Sequence, residues 1–476
     1  MLIDVQANVQ AALARVAPLT DRLAAAFAAR DHSLFLVGGP VRDAVLGLTS
    51  ADLDFTTSAR PDDIEAILGQ LGGPIWDMGR QFGTIGTRLA DWQVEVTTFR
   101  ADAYSPDSRK PAVRFGDNVE DDLRRRDFTI NAMAVDLANR RFVDPHGGLA
   151  DLAARRLATP APATQSFSDD PLRMLRAARF AARFQFRPTP DVVSAMMGLA
   201  DRLDIVSAER IRDELTKLLL ADRPRVGLDL AVRTGLTDRF LPELPALRLE
   251  IDEHHRHKDV YEHSLTVLDQ TIALEKERRH EPDLVARLAA LLHDIGKPKT
   301  RRYEAQGKVS FHHHDVVGAK LARARLTALR YPSEAVEAVA RLIELHLRFH
   351  GYGDGEWTDS AVRRYVRDAG PELERLHILT RSDCTTRNQA KATKLRRAYE
   401  ELEWRIDELA EQEELDAIRP DLDGHQIMAA LGLAPGPAVG QAYHFLLDLR
   451  LDAGPLGEEE ATRRLLEWWE QRRESE

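Results

Sequence analysis

Along residues 8–30 the apolar positions Val9, Leu13, Val16, Leu19, Leu23 and Phe27 recur every three or four residues, the period of one buried helix face. The pattern then shortens. "SLFLVGG" reads as a strand running into a tight turn, "PVRDAVLGL" as a helix opened by Pro40, and "ADLDFTT" as a second strand. "RPDDIEAILGQL" returns to helical spacing, and "GTIGTRLADWQVEVTTFR" predicts two strands around a turn at Ala90-Asp91. Strands and helices alternate in this way to about Asp144. After "RFVDPHGGLADL" the strand signal ceases and the spacing is helical to the end.

The pattern predicts an α+β head with a small mixed sheet, followed by an all-α body. Two breaks divide the body. "LPELPALR" precedes a histidine-dense region that begins near Asp252, and "IRPDLDG" at 418–424 ends an acidic helix. The expected division is a head over 1–150, a helical neck over 151–250, a third region over 251–417 and a small helical tail over 418–476. No internal repeat is visible.

Composition narrows the class. The chain has 476 residues, 43% hydrophobic and 30% charged, as in a water-soluble globular protein. No apolar run approaches the roughly 20 residues of a membrane span, and no cationic stretch followed by an apolar one opens the chain. Cys384 is the only cysteine, which excludes an intrachain disulfide and a cysteine-built zinc site. A cytoplasmic enzyme is the expectation. The net charge of −11 argues against nucleic acid as a partner. Locally the balance reverses, because Ala101 to Arg187 holds 15 Arg and Lys against 12 Asp and Glu.

The candidate chemistry starts at Asp52 and Asp54. One residue apart on a strand, they share a face, with Leu53 and Phe55 on the other. Two carboxylates that close repel unless a cation lies between them, and oxygen-only ligands suit Mg²⁺ held together with substrate phosphates. Upstream, Gly38-Gly39 allows close backbone approach, the next helix offers N–H groups to an anion, and Arg42 lies one turn into it. Glu95, alternating with Val94 and Val96, faces away from the apolar side of its strand and supplies a third carboxylate if the strands are neighbours.

These residues, with "GGPVRDAVLG", "RRDFTINAMA" (Arg125–Ala134) and "DDPLRMLRAARF" (Asp169–Phe180), resemble the polymerase-β nucleotidyltransferase superfamily, in its class II tRNA nucleotidyltransferase/poly(A) polymerase branch. The resemblance covers about residues 30–250. It implies that Asp52 and Asp54 bind catalytic Mg²⁺ with Glu95 as third carboxylate. It further implies that Gly38, Gly39 and Arg42 hold the triphosphate, that Arg126 contacts the nucleotide, and that Asp127 and Asn131 lie near its sugar.

Asp170, Arg173, Arg176 and Arg179 recur every third residue and are expected along one face of a single helix. A carboxylate accepts from an exocyclic amine, and a guanidinium donates to a ring nitrogen. Cytosine and adenine offer that pair; guanine and uracil present a carbonyl and a ring N–H, so both contacts become repulsive. Asp170 with Arg173 would thus select C and A, the protein template that the resemblance implies. Tyr104, Asp107 and Arg109, in the loop Thr97–Phe115, resemble the family's flexible loop, associated with switching from C to A.

A second constellation is His263, His293-Asp294 and Asp383. The His-Asp pair closes the apolar helix "LVARLAALLHDIGK", and the set resembles the HD metal-dependent phosphohydrolases. His314 and His346 fall where two-metal relatives carry further ligands, with His312, His313 and His350 as alternatives. Imidazole with carboxylate suits Mn, Fe, Ni or Zn better than Mg. The tail "LDGHQIMAALGLAPGPAVGQAYHFLLDL" resembles that of HD-containing members.

The function expected from the resemblance is template-independent addition of C and A to tRNA 3′ ends, with tRNA, CTP and ATP as partners. A poly(A) polymerase and an enzyme adding only CC or only A share these motifs. A phosphohydrolase with an RNA-gripping head predicts a damaged D-x-D, and a non-catalytic RNA-binding protein predicts loss of both ligand sets. Both sets are intact.

Overall fold

The computed structural model describes the chain except residues 1–4, 50–51, 101–102, 106–107, 113–114, 117, 249–258, 304–308, 352–356, 387, 414–417 and 476. Two compact units emerge, Met1–Pro242 and Glu243–Glu476. Their boundary falls at the proline-rich "LPELPALR".

In the first unit, α1 (Val5–Ala28) buries Leu23 and Phe27 completely. β1 (Leu34–Val37), α2 (Gly39–Val45), β2 (Asp52–Thr57), α3 (Pro61–Gln70), β3 (Ile75–Trp76), β4 (Thr84–Leu89) and β5 (Trp92–Thr98) follow. Next come β6 (Ala103–Ser105) and β7 (Ser108–Ala112), an antiparallel hairpin where the sequence suggested only a loop. Asp107 lies outside the described residues, as do the side chains of Tyr104 and Arg109. After α4 (Val119–Arg124), β8 (Ala134–Asp136) and β9 (Phe142–Val143) complete a seven-stranded sheet of order β3-β4-β5-β2-β1-β8-β9. Its strands pair antiparallel except β2 with β5, so the sheet is mixed.

The remainder of this unit is helical: α5 (Gly148–Ala153), α6 (Ala163–Asp169), α7 (Leu172–Phe184), α8 (Pro190–Gly198), α9 (Ala208–Leu219), α10 (Pro224–Arg233) and α11 (Thr237–Phe240). Two short parallel strands, Arg156–Leu157 with Arg187–Pro188, tie the start of this region to the end of α7. Helix α7 packs on α9 and α10. At Gly227 of α10 a side chain is impossible without movement, since a Cβ would lie 2.3 Å from the Ala178 carbonyl oxygen of α7.

The second unit is built from α12 (Val260–Glu277), α13 (Leu284–Leu292), α14 (Lys297–Thr300), α15 (His314–Ala328), α16 (Ser333–Leu345), α17 (Asp359–Ala369), α18 (Leu373–Asp383) and α19 (Gln389–Glu413), then α20 (Gly424–Leu431), α21 (Pro437–Ala453) and α22 (Glu458–Ser475). Asp423 caps α20 through a reciprocal capping box with Gln426. The last three helices enclose their own core of Leu422, Ile427, Ala442, Leu446, Ala461 and Leu465. Arg363 of α17 donates to the Leu451 carbonyl at 3.1 Å, and Arg364 pairs with Asp452 at 2.8 Å. No helix among the described residues is long and apolar enough to cross a membrane.

Candidate active site and metal centre

The parallel pairing of β2 with β5 sets Asp54 directly against Glu95 and Asp52 against Gln93. Burial alternates as the spacing predicts: Leu53, Phe55, Val94 and Val96 are buried, Asp52 is exposed, and Asp54 and Glu95 are half-buried. Burial raises the Asp54 carboxyl, and the charges of Glu95 and Asp52 raise it further; Arg126 opposes them, and the net result is about 6. An oxygen site that resists holding its own charges is one that a divalent cation relieves. The donor set therefore fits the expected metal.

Gly38 ends β1 with φ of 74°, a conformation that glycine adopts without strain. A Cβ there would lie 3.0 Å from Arg126 Nη1 and 3.9 Å from Asp54 Oδ2, so the turn, the guanidinium and the carboxylate are mutual neighbours. Arg126 Nη2 also donates to Asp122 Oδ2 at 3.1 Å, while its Nε is buried without a partner. Asp122 opens to the same cluster. Burial works against its charge, but Arg125 and Arg126 hold it below the usual carboxylate range.

Gly39 begins α2, and its neighbour Arg42 is almost wholly enclosed. Arg42 Nη1 donates to Asn131 Oδ1 at 2.7 Å and Nε to Asp43 Oδ1 at 2.8 Å, and the guanidinium lies 4.8 Å from the Phe184 ring centre. Asn131 Nδ2 in turn donates to Asp127 Oδ1 at 2.9 Å, and Asp127 Oδ2 pairs with Arg176 Nη2 at 2.8 Å. A continuous polar chain thus runs from the Gly-Gly helix to α7.

Of the row expected to read the base, Arg173, Arg176 and Arg179 lie on α7. Asp170 does not: it precedes the helix in extended conformation (φ −138°, ψ 99°). The reason is Pro171, whose ring disfavours the helical region for the residue before it. Arg173 is held by Ser166 Oγ at 2.9 Å and by the Arg125 carbonyl at 2.5 Å. Arg179 Nε donates to Glu214 Oε2 at 2.6 Å and stacks over Phe180, 4.2 Å from the ring centre. Arg176 also flanks Phe180, and its Nε is buried without a partner. Unsatisfied buried guanidinium donors are costly in a closed protein and useful beside an anionic ligand.

In the second unit six side chains converge. His263, His293 and Asp383 form one group whose ligand atoms lie within 4.8 Å of one another, and Asp294, His314 and His346 form another. His263 Nε2 is 3.2 Å from His293 Nε2 and 2.9 Å from Asp383 Oδ1. Asp294 joins the groups, with Oδ2 3.2 Å from His293 Nε2 and Oδ1 3.3 Å from His314 Nε2. The outer nitrogens explain this convergence. His293, His314 and His346 each direct Nδ1 at a carbonyl of their own helix end or turn, Ala290 at 2.9 Å, Phe311 at 2.8 Å and Ile343 at 2.5 Å. A carbonyl only accepts, so Nδ1 carries a proton, and in the neutral ring Nε2 faces inward as a lone pair, the arrangement of metal-ligating histidines.

Metal binding requires the neutral rings, and in the metal-free cluster the carboxylates compete with that state. Burial disfavours charge on His293, yet Asp294 and Asp383 push it up to about 9. Burial instead drives His346 down to about 3, and its Nε2 has no partner. Burial also opposes the charge of Asp294, which His293 and Lys297 nevertheless hold well below the usual range. The residues present fit a cluster of divalent ions.

Some participants were not singled out by sequence. Asp122 lies three and four residues before Arg125 and Arg126, a helical pairing interval that the charge run concealed. Lys297, whose Nζ sits 2.9 Å from Asp294 Oδ2, is three residues after Asp294 in "HDIGK" and could have been found by the same spacing.

Comparison with known proteins follows this layout. Residues 34–158 match the poly A polymerase head domain, residues 185–247 match a family described as "Probable RNA and SrmB- binding site of polymerase A", and residues 260–388 match the HD domain. The chain is 35% identical over 444 residues to the A-adding tRNA nucleotidyltransferase of Deinococcus radiodurans, covering 91% of this chain and 95% of that protein. It is 32% identical to the CC-adding tRNA nucleotidyltransferase of Thermus thermophilus, covering 93% and 95%. The Bacillus stearothermophilus CCA-adding enzyme in complex with CTP has a similar fold (TM-score 0.62, 24% identity, 95% and 97% of the two chains). So has the Thermotoga maritima CCA-adding enzyme complexed with tRNA (TM-score 0.63, 19% identity, 98% and 100%). The chain belongs to the tRNA nucleotidyltransferase/poly(A) polymerase family, as a nucleotidyltransferase that carries an HD domain.

Proposed function

We propose that this chain adds C and A residues to tRNA 3′ ends from CTP and ATP. The observation that carries the reading is the parallel register of Asp54 with Glu95 beside the Gly38 turn and Arg126, within one unit that also holds Asp170 and Arg173. The four-part division into head, neck, HD region and tail belongs to the same proposal.

Asp52, Asp54 and Glu95 hold the divalent ions, which we assign as Mg²⁺; when bound, these supply Lewis acidity to the triphosphate and the attacking hydroxyl. The primer 3′-oxygen bonds to the α-phosphorus as the bond to the pyrophosphate oxygen breaks. Gly38 and Gly39 let the triphosphate approach the main chain. The unpartnered Nε groups of Arg126 and Arg176 are donors for its oxygens or for the sugar. Arg42, enclosed between Asp43, Asn131 and Phe184, shapes this cradle from within. Asp127 and Asn131 hold the sugar side through the same polar chain. Asp170 accepts the exocyclic amine of C or A while Arg173 donates to the ring nitrogen, and Arg176 and Arg179 complete the row.

The names of the two long relatives favour a second reading, in which this chain performs only the CC step or only the A step. Transfer RNAs ending in the discriminator base, in C and in CC, each given CTP or ATP alone, separate the cases by product length. The proposed enzyme extends all three in their proper order. Extension of the CC-ended primer only, with ATP, marks an A-adding enzyme, and indefinite ATP addition marks a poly(A) polymerase.

Asp170→Ala removes the acceptor that both correct bases satisfy. Its expected result is a lower overall rate with relative UTP or GTP use raised about tenfold or more, an effect of at least roughly 1.4 kcal/mol. Unchanged nucleotide choice would make this segment scaffold rather than template.

For the HD region we propose a transition-metal centre held by His263, His293, Asp294 and Asp383, extended by His314 and His346. The unpartnered Nε2 of His346 supports the larger set. When bound, such ions supply an activated water for phosphoester hydrolysis.

A further inference from the structure

Four histidines direct Nε2 into the cluster of the second unit, and three of them are held from behind by the carbonyls of Ala290, Phe311 and Ile343. His263 is held differently: its Nδ1 lies 3.1 Å from Thr385 Oγ1. We propose that Thr385 is a positioning residue of this centre, whose hydroxyl accepts the Nδ1–H of His263 and so turns Nε2 toward the metal. This rests on the reading that His263, His293, Asp294 and Asp383 hold a transition metal.

The difference follows from where each ring sits. His293 and His346 cap the C-terminal ends of α13 and α16, and His314 opens α15. Helix ends leave carbonyls outside the ladder, so a ring nitrogen can take one close by. His263 instead lies inside α12, where carbonyls are committed to the helix's own N–H groups. Its outer nitrogen therefore needs a partner from elsewhere in the chain, and Thr385 is 122 residues away.

The exit from α18 delivers that partner. Asp383 is the last residue of the helix, and Thr385 follows it by two. Within a helix, residues two apart do not face the same way. Cys384 breaks that geometry with ψ of 84°, so the chain leaves the helix at once and Thr385 turns back to the ring. One imidazole is thus gripped from both sides, with Asp383 Oδ1 2.9 Å from Nε2 and Thr385 Oγ1 3.1 Å from Nδ1. A hydroxyl, unlike a carbonyl, can donate as well as accept. It fixes the direction of the ring and leaves the tautomer to whatever meets Nε2. With a metal there, the neutral ring carries its proton on Nδ1 and the hydroxyl accepts it. Without the hydroxyl, that N–H belongs to a buried ring that has lost its acceptor.

The test uses the untagged full-length protein, stripped of metal with a chelator and kept in excess Mg²⁺ to occupy the carboxylates of the other unit. Ni²⁺ is then titrated by calorimetry into the wild type, Thr385→Val, Thr385→Ala, Thr385→Ser and Asp294→Asn. Thr385→Val is expected to raise the Kd for Ni²⁺ about tenfold or more, the usual cost of losing an outer partner of a ligating histidine. Alanine repeats the loss without placing a methyl group against the ring, and decides the matter if the valine variant melts early. Thr385→Ser returns the hydroxyl and is expected to restore most of the affinity. Valine and alanine variants that bind as tightly as wild type, or a serine variant as weak as they are, would overturn the assignment. If Asp294→Asn loses the metal while the Thr385 variants keep it, the role of Thr385 alone fails. If Asp294→Asn binds Ni²⁺ as wild type does, the ligand set fails and takes Thr385 with it.

Discussion

Asp54→Asn is expected to lower incorporation of CTP and ATP alike by at least about a thousandfold, roughly 4 kcal/mol of barrier, while raising the melting temperature of the metal-free protein at pH 8. Both effects have one origin. Burial and the neighbouring charges of Glu95 and Asp52 lift the Asp54 carboxyl from 3.8 to about 6. An acid with a raised folded-state pKa binds protons more readily folded than unfolded, so its stabilising effect is full below the unfolded value and is lost as pH rises through about 6. Above that, the ionised group costs on the order of 3 kcal/mol at most. Asparagine removes the cost along with the metal ligand. The variant should therefore melt several degrees above wild type at pH 8 in a chelating buffer and close to it near pH 4. Added Mg²⁺ should stabilise the wild type far more than the variant. Normal turnover by the variant would sink the carboxylate assignment.

Asp294→Asn is expected to strip the proposed transition metal from the HD region, read as metal content of the purified protein, together with any phosphatase or phosphodiesterase activity. Asp294 lies against both ligand groups, with one oxygen near His293 and the other near His314, so its loss disables each. Nucleotide addition should stay within about tenfold of wild type, roughly 1.4 kcal/mol, because the Asp52–Asp54–Glu95 set belongs to the other compact unit. Metal content unchanged in the variant would overturn the ligand set. Collapse of nucleotide addition in a variant whose melting curve is normal would show that the centres are coupled.

Much of this site was legible before any coordinates. Strand alternation placed Asp52 and Asp54 on a shared face because the β period leaves no other choice, whereas Glu95 joined them only on the condition that its strand lay alongside, which the pairing of β2 with β5 meets. Four of the HD residues came from the resemblance, with His314 and His346 added against His312, His313 and His350 as alternatives, and the structure groups those six among the described residues. What the sequence hid is long-range or conformational. The helical reading of Asp170 failed because three-residue spacing ignores the constraint that Pro171 imposes on its predecessor. Arg210 and Glu214 were invisible because a surface-type charge pair on α9 looks the same whether it faces water or Asp170 and Arg179. Pairing across roughly forty residues is settled only by packing. The hairpin β6–β7 escaped because polar, proline-containing strands lack the alternation that marks a buried one.

Gly227 gives the selecting helix an unusual mechanical character. There α10 meets α7 main chain against main chain, at the Ala178 carbonyl, with no side chain between to absorb a shift. Side-chain contacts yield by rotamer changes, whereas two touching backbones transmit displacement almost undiminished. The row proposed to read the base is therefore keyed to α10 as a tooth is to a gear. One added methyl group, about fifty residues downstream of Arg173 and Arg176, would move their helix by a distance comparable with the tolerance of a hydrogen bond. On the proposed reading, fidelity is thus exposed to mutation at a residue outside the proposed nucleotide and metal sites.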